Sequence, residues 1–407
     1  MKKKIIFDVI LNMLATIIPM FALQFIILPQ VALKISADSY GQLLAIIAFM
    51  YLSASSFGSV LNNSKLIHYK RYDELKIQGD FNIILVIFLI SNAIIMIVGL
   101  LYYGKSLNVL TNVSLVLISS LLLFNTYASV EFRIKLNFKN ILTNSIMLFF
   151  GYLIGYVLFL FTGYWSLIYF CGLGLNILFL IYKTSIWRES YSKTPLFKIT
   201  FKEVIMLLGS GILVSLGAYV DKLIIFPLLG GAAVSIYYVA TILGKTIALA
   251  IAPITGVLLS YLAHMKKFSS NNFRFLLLIS SIVGFIGYWF VIFISEPLLS
   301  FVYPQYVEDA IQYIPVTTLS IILTIISSVI NPVLLKFSSA KWQMFINGLY
   351  MLIYVPLSMY LLSLHGLMGL CVGILIANFI KLLIMITTYF YVNKSTNANN
   401  LSEGVLK

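Results

Sequence analysis

Five ionisable side chains, Asp8, Asp221, Lys222, Lys245 and Lys381, fall inside long apolar stretches of this 407-residue chain. A charge placed there has no water to solvate it. It must face a cavity or a partner, and it marks an ion pathway, a proton relay or the seat of a charged ligand. Asp8 sits in the first turn of its stretch, where it complements a helix N-terminus, and reads as structural. Lys381 lies within a few turns of the end of the last stretch, so its stem either snorkels to the surface or delivers charge inside. Asp221 stands nine residues before Gly230, and Lys245 nine residues after Ile236. At 1.5 Å per residue, both would lie about 14 Å beneath the same surface. If their stretches are neighbouring antiparallel helices, Asp221 and Lys245 come level and can form a buried ion pair, a structural lock neutral in sum. Lys222 would project roughly 100° away from Asp221 around the helix, which leaves one cation over. The functional alternative has Lys222 and Lys245 facing a central cavity and supplying positive potential for an anionic substrate. Asp221 would then be counter-ion, or a protonatable or sodium-linked switch.

The elements that must position these residues are membrane helices. Apolar residues make up 61% of the chain and charged residues 10%, against about 25% charged in ordinary soluble domains. A bilayer core of about 30 Å takes roughly 20 apolar residues of helix. Twelve such runs occur, at 5–33, 41–61, 81–103, 109–130, 141–162, 164–182, 204–229, 236–262, 274–294, 311–335, 342–362 and 367–390. They are continuously apolar and do not alternate every second residue, which excludes a membrane β-barrel. Lys2-Lys3-Lys4 before the first run looks like a signal-peptide start. The apolar stretch that follows is too long for one, and reads as an uncleaved first helix.

The 27 Lys+Arg against 13 Asp+Glu give a net charge of +14. With the N-terminus cytoplasmic, 22 of these cations fall on cytoplasmic segments and only Lys34 and Lys105 on outer loops. That is the positive-inside pattern, it never changes sign along the chain, and it predicts both termini inside. The imbalance is therefore mainly topology beside anionic lipid, and nucleic acid is not needed to explain it. The informative excess is the one inside the apolar runs, where three lysines face two aspartates.

The longest cytoplasmic connection divides the runs into six and six. The expected organisation is an N-terminal six-helix lobe over 1–182, a linker over 183–203, a C-terminal six-helix lobe over 204–390 and a cytoplasmic tail over 391–407. The first outer loop, Ser36-Ala37-Asp38-Ser39-Tyr40-Gly41, is echoed by Gly231-Ala232-Ala233-Val234-Ser235-Ile236-Tyr237-Tyr238. Because six is even, the halves share one orientation, and their pseudo-twofold axis should run along the membrane normal. Pro19, Pro29, Pro253, Pro315, Pro332 and Pro356 fall within runs, where each can kink a helix. Asn12, Gln24, Asn92, Asn125, Asn176 and Asn378 read as inter-helix hydrogen-bonding groups.

Catalytic signatures are missing. There is no phosphate-cradling GxxxxGK loop, no HExxH, and no metal-type spacing of Cys171 and Cys371 or of His68, His264 and His365. Neither a cofactor nor a metal is expected. The acids of the outer loop Glu296–Asp309 match no defined chemistry, and no loop is long enough to form a soluble catalytic domain. Transport is expected rather than catalysis.

Asp221-Lys222-Leu223-Ile224-Ile225, followed by Leu229-Gly230-Gly231 and Ile236-Tyr237-Tyr238, resembles the span 7–8 region of the polysaccharide flippases, and Tyr40-Gly41 resembles their first loop. These Wzx-type proteins belong to the multidrug/oligosaccharidyl-lipid/polysaccharide (MOP) superfamily. Lys34-Ile35-Ser36-Ala37 stands where that family usually carries Leu-Gly-Pro. The resemblance implies an all-α polytopic protein of the MATE-like 6+6 type in a bacterial cytoplasmic membrane. It would move undecaprenyl-diphosphate-linked oligosaccharide repeat units outward for capsule, O-antigen or exopolysaccharide assembly. Lys222 and Lys245 would contact the pyrophosphate, and Lys381 is a weaker candidate. Coupling to H+ or Na+, and polymerase and chain-length partners, are further implications. The alternatives are a multidrug/cation antiporter of the same fold, which would need net acidic groups in its cavity, and a membrane glycan polymerase or ligase, which would need large catalytic outer loops.

Overall fold

The structure is a computed structural model describing residues 2–263, 265, 268–338 and 340–405, with side chains placed for 7–249, 251, 255, 258, 262, 265, 268–338 and 342–393. His264, Lys266, Lys267 and Lys407 lie outside the described residues, as do the side chains of Lys2, Lys3, Lys4, Pro253, Lys341 and Lys394.

Among the described residues there is no strand, and ten helices are long and apolar enough to cross a membrane. They are α1 (Phe7–Ala32), α2 (Ala37–Glu74), α3 (Asp80–Tyr103), α4 (Val109–Ile134), α5 (Phe138–Thr162), α6 (Ser166–Lys183), α7 (Phe197–Leu249), α8 (Ser270–Val302), α9 (Ile314–Phe337) and α10 (Trp342–Asn393). Two of them are double length. The backbone of α7 breaks at Gly230 (φ 84°, ψ 177°), and that of α10 at His365 and Gly366 (φ 59°). Taken as two passes each, they bring ten helices to the twelve spans read from the sequence. The chain is a multi-pass membrane protein.

Three boundaries differ from the hydropathy reading. α2 continues well past residue 61 to Glu74. Hydropathy ends where the side chains turn polar, but a helix satisfies its own backbone and needs only partners for those side chains. Here Asn62 donates to the Thr126 carbonyl at 2.8 Å, and Lys65 meets Glu189 at 2.7 Å. α8 runs to Val302 and carries Glu296 and Pro297 inside it, so the acidic outer loop expected from Glu296 is shorter than the sequence implied. A proline removes one hydrogen bond from a helix without necessarily ending it. The connection expected near residue 230 reduces to the Gly230 break.

Two interruptions have no hydropathy signature. α1 takes a π-helical turn over Ala22–Ile27, and α2 another over Tyr51–Ser55. The first lies between Pro19 and Pro29. Pro29 lacks an N–H and crowds the carbonyl four residues back, which favours a widened turn before it.

The chain divides into two compact units, Met1–Val234 and Ser235–Lys407. In the first, α5 and α6 form a close hairpin in which a Cβ on Gly151 would strike the Cys171 carbonyl, the small-residue approach by which membrane helices associate. Asn92 crosslinks three helices of this unit: it accepts from Ser53 at 2.6 Å and its amide donates to Ser119 at 2.8 Å, all buried. The second unit has an apolar core containing Ile326, Ile330, Val333 and Met385. There the Phe273 ring stacks on Tyr389 at 3.7 Å, and the Tyr389 hydroxyl donates to the Phe268 carbonyl at 2.8 Å.

Candidate functional site

Asp221 and Lys222 stand on the first half of α7, both buried in the first unit. One face of this half-helix is held at successive turns. Ser215 shares a hydrogen bond with Ser56 at 2.7 Å, and the Tyr219 ring stacks on Tyr51 at 5.9 Å. The Leu223 carbonyl accepts from the Tyr103 hydroxyl at 3.2 Å, and Phe226 packs on the Tyr103 ring at 5.8 Å. These positions recur every three or four residues, the spacing of one helix face. At about 100° per residue Lys222 belongs to that face, and Asp221 lies off it.

Tyr51 belongs to the π turn of α2 and interacts with Tyr152 of α5. Tyr152 in turn packs edge-on to Tyr169 of α6 at 5.9 Å. A tyrosine chain thus leads from α6 through α5 and the α2 π turn to Tyr219, two residues before Asp221. Hydropathy could not show it, because tyrosines at helical spacing look like ordinary core.

The expectation that Lys222 points away from Asp221 is corrected. Its ammonium lies 3.7 Å from the Asp221 carboxylate, and the same Asp221 oxygen accepts the Lys222 amide at 2.8 Å. The Cα–Cβ vectors diverge as the helix requires, but the four-carbon stem is long enough to bring the charge back. Lys245 lies in the second unit, where its ammonium sits over the Tyr237 ring at 5.5 Å.

Lys381, also in the second unit, has the more complete surroundings. Its ammonium lies over the Tyr350 ring at 4.4 Å, a cation–π contact. The Tyr350 hydroxyl donates to Asn378 at 2.9 Å, and the Asn378 amide donates to Ser320 at 2.9 Å. Asn378 is three residues before Lys381, so the two share a face of α10. Among the described residues no carboxylate lies within ion-pair distance of Lys381. Tyr350 and Ser320 were not singled out in the sequence; only Asn378 was. Likewise, no three His, Cys, Asp or Glu of the described residues come together as a metal site.

No family model matches the chain, and no curated protein matches it by sequence. Solved structures do match over nearly its whole length. The lipid II flippase MurJ in an inward closed conformation superposes with a TM-score of 0.67 at 17% identity, covering 94% of this chain and 86% of that one. A MATE protein in a straight conformation gives 0.67 at 13% identity over 98% and 96%. An inward-facing multidrug resistance MATE family transporter of the MOP superfamily gives 0.66 at 13% identity over 95% and 98%. At these identities the likeness is one of fold: the chain has the MATE/MurJ-like transporter fold.

Proposed function

We propose that this protein is a flippase for a polyprenyl-diphosphate-linked oligosaccharide, working by alternating access without ATP hydrolysis. The observation that carries the reading is Lys381, a cation of the apolar helix α10 that lies over the Tyr350 ring with no carboxylate of the described residues beside it. An unneutralised cation is costly in the membrane, and an anionic ligand is what repays it. A multidrug/cation antiporter needs the opposite balance, and the apolar runs hold three lysines against two aspartates. The fold itself serves both readings, since one solved relative is described as a lipid II flippase and others as multidrug transporters.

In this reading Lys222, Lys245 and Lys381 supply positive potential for the pyrophosphate. Asp221 is the counter-ion that holds Lys222 in place, or the group through which H+ or Na+ couples. The lobes are 1–182 and 204–390, joined by 183–203, with 391–407 as tail. Delivery of the glycan to a polymerase and chain-length regulator for capsule, O-antigen or exopolysaccharide belongs to the same proposal.

Deletion in the native host tests it. Lipid-linked repeat units should accumulate on the cytoplasmic leaflet, and Lys222→Ala, Lys245→Ala or Lys381→Ala should fail to clear them. Accumulation on the outer leaflet would point to a polymerase instead. Wild-type clearance by all three variants would remove the cationic cavity from the account.

A further inference from the structure

The segment joining α6 to α7 is bound along one side and bare along the other. On the bound side Glu189, Glu131 and Asp80 are occupied. Glu189 meets the Lys65 ammonium with both oxygens at 2.7 Å. Glu131 accepts the Ser185 amide at 2.7 Å and pairs with Lys135. Asp80 accepts the Thr194 amide at 2.7 Å, and the Asn82 side chain donates to the Ile186 and Glu189 carbonyls at 3.1 and 3.0 Å. The connection is thus a strap fastened to the ends of α2, α3 and α4.

The other side pairs cations with aromatic rings. Lys183 lies over Tyr182 at 4.7 Å, Arg188 over Trp187 at 4.7 Å and Lys193 over Phe197 at 5.2 Å. The three cations are exposed, and none has a carboxylate partner among the described residues. The Trp187 indole donates to the Ile181 carbonyl at 3.1 Å, which closes the last turn of α6 and sets the ring at the helix end. Just before that end, Leu178 and Tyr182 are 65% and 79% exposed. A membrane helix leaves such side chains bare where they meet lipid, so Trp187 and Tyr182 stand where hydrocarbon gives way to headgroups, the usual level of an aromatic belt. Lys183, Arg188 and Lys193 lie beside or just after them along the strap.

We propose that this outer side of the strap is a seat for anionic phospholipid headgroups. Tyr182 and Trp187 set its depth, Lys183, Arg188 and Lys193 contact the phosphates, and the inward-turned carboxylates leave it without local neutralisation. Its chemistry is that of basic and aromatic groups at an anionic membrane surface. The inference does not depend on which substrate the protein carries.

The test compares two triple variants of the full-length protein. Lys183→Gln/Arg188→Gln/Lys193→Gln removes the strap cations. Lys70→Gln/Arg71→Gln/Lys76→Gln removes three exposed cations at the end of α2 that have no ring of the described residues beneath them. Retention of phosphatidylglycerol against phosphatidylcholine is measured by native mass spectrometry. Loss of about tenfold or more in phosphatidylglycerol retention is expected for the strap variant, with the α2 variant close to wild type. Trp187→Ala/Tyr182→Ala, with all charges kept, should lower retention as well. Equal losses in the two triples would mean diffuse surface charge and would overturn the proposal, as would no loss in the strap variant.

Discussion

The Asp38 carboxylate accepts a hydrogen bond from the Gly231 amide at 2.8 Å, tying the first turn of α2 to the break in α7. The approach is so close that a Cβ on Gly41 would fall into the Gly231 carbonyl. Gly230 beside it holds a φ of 84°, in the region that glycine tolerates and other residues resist. Asp38→Asn keeps an acceptor oxygen and should unfold near the wild-type temperature. Asp38→Ala leaves the amide without that partner and should cost about 1 kcal/mol. Gly41→Ala should cost about 1–3 kcal/mol by overpacking. Thermal unfolding in detergent ranks the three, and a Gly41→Ala protein as stable as wild type would contradict the close approach.

Asn92 joins Ser53 and Ser119 in a buried chain of hydrogen bonds. Asn92→Leu should destabilise by about 1–3 kcal/mol, because both serines lose a partner in a place without water. Replacing all three, as Ser53→Ala/Asn92→Leu/Ser119→Ala, should recover part of that loss. Chemical unfolding in mixed micelles measures both.

Lys65 and Glu189 fasten the strap, with side chains only 10% and 20% exposed. Lys65→Met leaves the Glu189 charge largely buried and should cost about 3 kcal/mol. Lys65→Met/Glu189→Leu should be the more stable of the two proteins. Limited proteolysis adds a local reading: cleavage within 184–196 should rise sharply in the single variant and less in the double one.

Lys381 separates stability from transport. An internal cation without an acidic partner opposes folding, so Lys381→Met should raise stability by about 1 kcal/mol or more while it lowers transport. Lys381→Arg keeps the charge and should keep most of the activity, whereas Lys381→Met should lose about tenfold or more in rate. Unfolding and transport measured on the same preparations decide this, and a Lys381→Met protein with wild-type transport would remove the residue from the site.

Much of the fold was legible because membrane helices carry their own evidence. Twelve runs of sufficient apolar length could be counted, and double-length α7 and α10 restore that count through their breaks at Gly230 and Gly366. The end of α2 was missed because Asn62 and Lys65 find their partners on distant segments, which composition cannot register. The π turn of α1 was missed because Pro19 and Pro29 announce a disturbance without saying which kind, and that of α2 because no proline stands near Tyr51–Ser55 to announce it. At the candidate site the charged residues were visible as types out of place, but their company was not. Lys222 returning to Asp221, and Tyr350 beneath Lys381, depend on side-chain conformation and on helices brought together from separate parts of the chain.

In the proposed function the internal lysines serve a diphosphate-linked lipid rather than an organic cation. Purified protein in proteoliposomes, loaded with a fluorescent polyprenyl-diphosphate saccharide, measures how much of the lipid becomes accessible to a membrane-impermeant reagent on the opposite leaflet. Wild-type protein should translocate the lipid, Lys222→Ala/Lys381→Ala should do so at least about tenfold more slowly, and ethidium should not be moved by either. Ethidium transport by the wild-type protein without movement of the diphosphate lipid would contradict the account.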